Sequence, residues 1–328
     1  MKKITALLLA LFMLVGALAG CGKQNDTNQT DKLSIVTTIF PEYDWVREIL
    51  GDKADNAEIT MLLDNGVDLH SYQPTADDIV KISDCDLFIY VGGESDEWVE
   101  DALRNAANRN MKVINLLEVL GDSVKTEEIV EGMQEEEHEY EDAEEHEHEE
   151  EADEHVWLSL KNAKMLVRVI SKALQELDPN NKDIYAANAD AYVKKLSALD
   201  AEYQAAVDAA SNKTILFGDR FPFRYLVDDY GLRYYAAFVG CSAETEAGFE
   251  TISFLAKRVD EWKLPCVLTI EGAQHKIAET VVRNTTAKNQ RVLTMDSMQS
   301  TTSKDVKNGT TYLSVMEKNL SVLKEALR

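Results

Sequence analysis

From Leu33 onward, short apolar runs alternate with segments whose apolar positions recur every three or four residues. The runs Leu33–Phe40, Glu58–Leu63, Asp86–Val91 and Lys112–Leu117 predict strands, and the segments opening at Glu42, Thr75 and Glu97 predict the helices between them. That βαβα order implies a parallel sheet covered on both faces. A second set predicts strands at Lys213–Phe217, Tyr234–Val239, Cys266–Ile270 and Arg291–Met295, with helices near Pro222, Phe249, Lys276 and Asp305. Two similar α/β lobes are therefore expected, 33–178 and 213–328. Ala163–Leu177 predicts a helix at the end of the first lobe, punctuated by Pro179, and Asn181–Ala210 a longer one between the lobes. Tyr185, Ala189, Tyr192, Leu196, Leu199, Tyr203 and Val207 fall on one apolar stripe of that second helix. With about 28 residues it would span roughly 42 Å. A single long helix within the linker, 179–212, is a stiff bridge, so limited closure of the lobes is expected.

The start of the chain follows a different pattern. Lys2 and Lys3 precede an apolar run from Ile4 to Ala19 that ends Leu18-Ala19-Gly20-Cys21. This reads as a lipoprotein signal peptide, 1–20, rather than a spanning helix. Cleavage would leave Cys21 as a lipid-bearing first residue, tethered through the polar stretch 21–32 to an extracytoplasmic protein on a bacterial membrane. Cys85, Cys241 and Cys266 remain; one pair of them would suit a disulfide, but spacing does not choose it.

The periodic pattern is also broken from 133 to 155. Between Glu135 and Glu154 every charged residue is Asp or Glu, and four of the chain's six histidines (His138, His146, His148, His155) fall within eighteen positions. Like charges and scarce apolar side chains preclude a core here, so the tract reads as an exposed loop. A solvated acidic linker is the plainer alternative. The histidine density favours weak metal sites at His138, His146 and His148, since imidazole is the commonest metal ligand. His155 differs, because the ordered, partly apolar Val156-Trp157-Leu158-Ser159-Leu160 follows it. The formal net charge of −25 excludes nucleic acid as a partner and favours cations.

Open parallel sheets bind ligands beyond the carboxyl ends of their strands. There the chain places His70 and His155 in the first lobe, and Asp219, Glu271 and Asp296 in the second. Imidazoles with carboxylates suit zinc or manganese and are too nitrogen-rich for calcium or magnesium. Asp296 and Asp219 are the expected carboxylate ligands. Glu271 is expected to orient a ligand, and Cys241 is the alternative ligand. No H-E-x-x-H helix or nucleophile-and-base set is evident, so the chain does not read as an enzyme. His275 is expected on an exposed helix start.

The chain resembles the solute-binding lipoproteins of zinc and manganese ABC transporters, the cluster A-I proteins, from Leu33 to Arg328. The resemblance rests on Val36-Thr37-Thr38, His70-Ser71-Tyr72-Gln73-Pro74, Asp153-Glu154-His155-Val156-Trp157-Leu158, Tyr230-Gly231-Leu232, Met295-Asp296-Ser297 and the segment Tyr312-Leu313 to Asn319-Leu320. It implies two α/β lobes bridged by a long helix with a metal cleft between them, His70 and His155 as ligands, and a monomer that captures Zn2+, alternatively Mn2+, for an ABC permease. One departure stands out. Where the family places His or Glu after the first strand of the second lobe, this chain has Gly218-Asp219-Arg220-Phe221-Pro222, which leaves the third ligand open. A metal-buffering or adhesin lipoprotein that serves no transporter is the other reading of the same residues.

Overall fold

The computed structural model describes residues 32–134, 151–242, 246–272 and 275–328. The signal peptide, Cys21, nearly all of the tether, and His138, His146 and His148 lie outside the described residues. The first half runs β1 (Leu33–Thr37), α1 (Phe40–Leu50), β2 (Ala57–Met61), α2 (Ala76–Asp84), β3 (Leu87–Tyr90), α3 (Trp98–Arg104), β4 (Lys112–Asn115) and α4 (Leu116–Leu120). Its four strands form a parallel sheet in the order β2-β1-β3-β4. Helices α5 (Leu160–Leu177) and α6 (Lys182–Ala209) follow.

The second half contains β5 (Thr214–Leu216), β6 (Arg220–Phe221), α7 (Arg224–Tyr230), β7 (Arg233–Tyr235), β8 (Phe238–Val239), α8 (Phe249–Trp262), β9 (Cys266–Thr269), α9 (Lys276–Asn284), β10 (Arg291–Thr294), α10 (Ser303–Lys307) and α11 (Tyr312–Ala326). Here β5 pairs with β7 and β9 with β10, all parallel. A parallel bridge between Phe217 and Leu268 joins the two pairs. The resulting order, β7-β5-β9-β10, repeats the arrangement of the first half, as the two βα series in the sequence predict.

Several boundaries move for local reasons. The predicted first strand stops at Thr37 because Pro41 and Glu42 open α1. The Glu42 carboxylate turns back to accept from the Thr38 N–H at 2.9 Å, the Thr38 hydroxyl at 3.1 Å and the Ile39 N–H at 3.3 Å. The Thr38 N–H is shared with the Ile89 carbonyl of β3 at 3.2 Å, while the Ile39 N–H, at the start of the helix, turns to Glu42. Likewise, the Asn115 side chain caps α4 and ends β4. The segment Tyr234–Val239 splits into β7 and β8, and β8 pairs with β6, a two-residue strand with too little sequence to show a period.

The long helix α6 has 28 residues, and the whole expected stripe from Tyr185 to Val207 is buried, joined by Val193. It packs against α5 and α1 near its start and against α11 and α7 further on. The Tyr203 hydroxyl donates to the Met316 carbonyl at 2.7 Å. Helix α11 also reaches the first half: the Tyr312 N–H donates to Asp44 at 2.8 Å and its hydroxyl to the Trp157 carbonyl at 2.6 Å. Trp45 meets the Tyr312 ring edge-on at 5.2 Å. Fully burying such a side chain contributes about 1.5–3 kcal/mol, so this apolar seam holds the segment around Trp157 rigidly behind the site. Cys85, Cys241 and Cys266 are free thiols, so no disulfide forms among these three.

Candidate metal centre

His70 sits on a single 3₁₀ turn, Leu69–Ser71, whose capping residue Asp68 accepts the His70 N–H at 3.1 Å. His155 opens a second 3₁₀ turn, Val156–Leu158, and its N–H goes to Asp153 Oδ1 at 2.9 Å. Both histidines are thus fixed by an aspartate two positions earlier, an Asp-x-His pattern written twice in the sequence. The Trp157 indole donates to the Ser297 carbonyl at 2.8 Å and anchors the second turn to the opposite half.

The imidazoles face each other, with Nε2 of His70 3.2 Å from Nε2 of His155. Their other nitrogens are held from behind. His70 Nδ1 lies 2.8 Å from the Ser95 hydroxyl and 3.3 Å from Glu154 Oε2. His155 Nδ1 lies 3.0 Å from Asp153 Oδ1. Partners of this kind orient metal-binding imidazoles and raise their basicity. Burial alone would raise the Glu154 carboxyl, but hydrogen bonds from His70 and Ser95 outweigh it and hold the group below its usual range. His155 is wholly buried, while His70 keeps a narrow face to solvent.

Cys241 is the third member of this cluster: its sulfur and one nitrogen of each imidazole lie within 4.8 Å of one another. The Cys241 N–H donates to Glu127 Oε1 at 3.0 Å. Burial first, then the nearby Glu127, Asp153 and Glu154 carboxylates, push the thiol far above its ordinary value. The segments flanking the acidic tract frame this corner. Thr126 and Ala152 form an antiparallel bridge, and the Tyr225 hydroxyl donates to the Asp153 carbonyl at 2.7 Å. The Gln134 N–H reaches the Ala237 carbonyl at 2.9 Å.

Asp219 and Asp296, the expected carboxylate ligands, do not join the cluster. Asp219 follows β5, but its carboxylate is engaged by the Thr269 hydroxyl and by the N–H groups of Arg220 (3.0 Å) and Ile270 (3.3 Å). Asp296 accepts the Met298 N–H at 2.8 Å, and its backbone is held at both N–H and carbonyl by Asn319. Glu271 accepts from the Ser297 N–H (2.6 Å), the Ser297 hydroxyl (2.7 Å) and the Gln299 N–H (3.1 Å). It thus shapes the 297–299 loop. With its NH2 toward Asp68 at 2.8 and 2.7 Å, the Gln299 amide sets its oxygen 2.7 Å from His155 Nε2. Arg220 pairs with Asp68 from across the cleft. His275 is half-buried, with Nδ1 3.1 Å from the Thr269 hydroxyl.

Sequence reasoning overlooked Asp68, Ser95, Asp153, Glu154 and Gln299 as supports. The repeated Asp-x-His spacing was a readable signal for two of them. Ser95 and Gln299 carry none, because they arrive from turns distant in sequence.

Residues 35–326 match the family model described as zinc-uptake complex component A, periplasmic. The chain is 33% identical over 325 residues to the zinc-binding lipoprotein AdcA of Streptococcus pneumoniae, covering 99% of this chain and 61% of AdcA. It is 32% identical over 322 residues to the high-affinity zinc uptake system protein ZnuA of Bacillus subtilis, covering 97% of this chain and 95% of ZnuA. The crystal structure of the Zn(II)-bound ZnuA-like domain of S. pneumoniae AdcA superposes with a TM-score of 0.69 at 30% identity, over 90% of this chain and 99% of that domain. The metal-dependent lipoprotein YcdH of B. subtilis gives a TM-score of 0.72 at 25% identity, over 90% and 99% of the two chains.

Proposed function

The chain belongs to the zinc-uptake complex component A family, and from that premise we propose that it captures zinc outside the cytoplasm and delivers it to an ABC permease for import. One observation carries this reading: two imidazole Nε2 atoms 3.2 Å apart, each backed at Nδ1 by a carboxylate. A tetrahedral zinc at about 2.0–2.1 Å from each nitrogen separates them by about 3.3–3.4 Å. The pair stands at ligand spacing, with His70 and His155 as the first two ligands.

Zinc rather than manganese follows from the donors, since imidazole suits zinc while manganese favours carboxylate, carbonyl and water. The partly exposed His70 supplies the entry and exit face. Among the described residues no helix is long and apolar enough to cross a membrane. The Leu18-Ala19-Gly20-Cys21 sequence supports attachment through a lipid on Cys21. The protein acts as a binder rather than a catalyst, with zinc as cargo and the permease as its acceptor. The test is calorimetric titration of zinc and manganese into the metal-free protein. One tight zinc site with much weaker manganese supports the reading; no tight zinc site, or tighter manganese, defeats it.

A further inference from the structure

We propose that Cys241, as a thiolate, is the third protein ligand of the ion held by His70 and His155. This rests on the metal-capture reading above. The three donor atoms lie within 4.8 Å of one another, the one such cluster of three among the described residues. With zinc–sulfur and zinc–nitrogen bonds of about 2.3 and 2.0–2.1 Å, a tetrahedral ion separates sulfur from nitrogen by about 3.6 Å. An approach of no more than about 1.2 Å completes the set, within reach of a change of side-chain rotamer.

The backbone brings the cysteine to this place. A Cβ on Gly240 would come within 2.9 Å of His155 Cε1 and 3.1 Å of its Nδ1. Only glycine lets the chain pass so close to the ring that the next residue reaches the metal. Glu127 fixes the Cys241 N–H at 3.0 Å and stands beside the thiol. When the metal binds, the S–H bond breaks, its electron pair passes to the ion, and the proton leaves to water by way of the Glu127 carboxylate. The carboxylates expected to balance the ion's charge are committed elsewhere, Asp219 to Thr269 and Ile270, and Asp296 to Met298. A thiolate supplies that negative charge instead. Two neutral imidazoles and one thiolate leave a divalent ion one positive charge, which Asp153 and Glu154 face from behind the rings. Sulfur also sharpens the choice of zinc over manganese. Three protein ligands leave a tetrahedral ion one open position.

The test is titration of the metal-free full chain with cobalt(II) and with zinc. A near-ultraviolet sulfur-to-cobalt charge-transfer band is expected in the wild type. Cys241→Ser should abolish it and weaken zinc at least tenfold, whereas Cys241→His should regain zinc affinity without the band. Cobalt bound with no charge-transfer band, or Cys241→Ser that keeps both band and affinity, overturns the Cys241 assignment and leaves the two-histidine reading standing. Failure of the wild type to bind either metal overturns both.

Discussion

The guanidinium of Arg220 pairs with the carboxylate of Asp68, joining the start of β6 to the turn that carries His70. Both side chains are about four-fifths buried, so the pair is shielded from water more than a surface ion pair would be. Asp68 also receives the Gln299 amide, which places one carboxylate at the meeting point of three segments that frame the two imidazoles. Arg220→Ala and Asp68→Ala should each lower stability, and the double variant should show a coupling of about 1 kcal/mol. Urea unfolding of the four proteins measures it; strictly additive losses would mean that the pair does not join the two halves.

His70→Ala and His155→Ala should each weaken zinc by more than tenfold, about 1.4 kcal/mol or more. Competition with a chelator of known affinity gives the values. Unchanged affinity in both variants would remove the imidazole pair as the site.

Asp153→Asn and Glu154→Gln keep shape but weaken the grip on each Nδ1. Losing such a partner typically costs about 10–100-fold in metal affinity. Zinc affinity should fall in that range with unfolding temperature little changed, and an unfolding loss without an affinity loss would make these carboxylates purely structural.

Asp44 is buried under the start of α11, where burial lifts its carboxyl from 3.8 to about 7 despite the Tyr312 N–H. The folded form therefore holds a proton that the unfolded chain releases. Stability contributed by the neutral acid is full below about pH 4 and is lost as pH rises toward 7, with an upper bound of about 4 kcal/mol. Asp44→Asn should flatten the fall in stability between pH 5 and 7, read by denaturant titration at each pH. An unchanged slope would place the proton elsewhere.

Deleting 135–150 should leave one tight zinc site and remove weaker ones supplied by His138, His146 and His148. Calorimetric stoichiometry at rising zinc decides it, and a lost tight site would make a tract histidine a principal ligand.

The alternation of apolar runs was enough to predict the two parallel sheets and the long helix, because strand and helix periods are set by backbone geometry that each segment carries locally. His70 and His155, which the fold brings together at Nε2, carry a local signal of their own: each follows its aspartate by two residues and lies on or beside a 3₁₀ turn. Which of Asp219, Asp296 and Cys241 comes to lie beside the two imidazoles was not legible in the same way. All three follow a strand of the second half, and sequence position alone does not say which polar group is already spent on its neighbours. Folding engages Asp219 with Thr269 and Asp296 with Met298, while Gly240 admits the chain against His155 and leaves the Cys241 sulfur beside the two imidazoles. These contacts join residues far apart along the chain. Their geometry is therefore decided by packing, which no local pattern encodes.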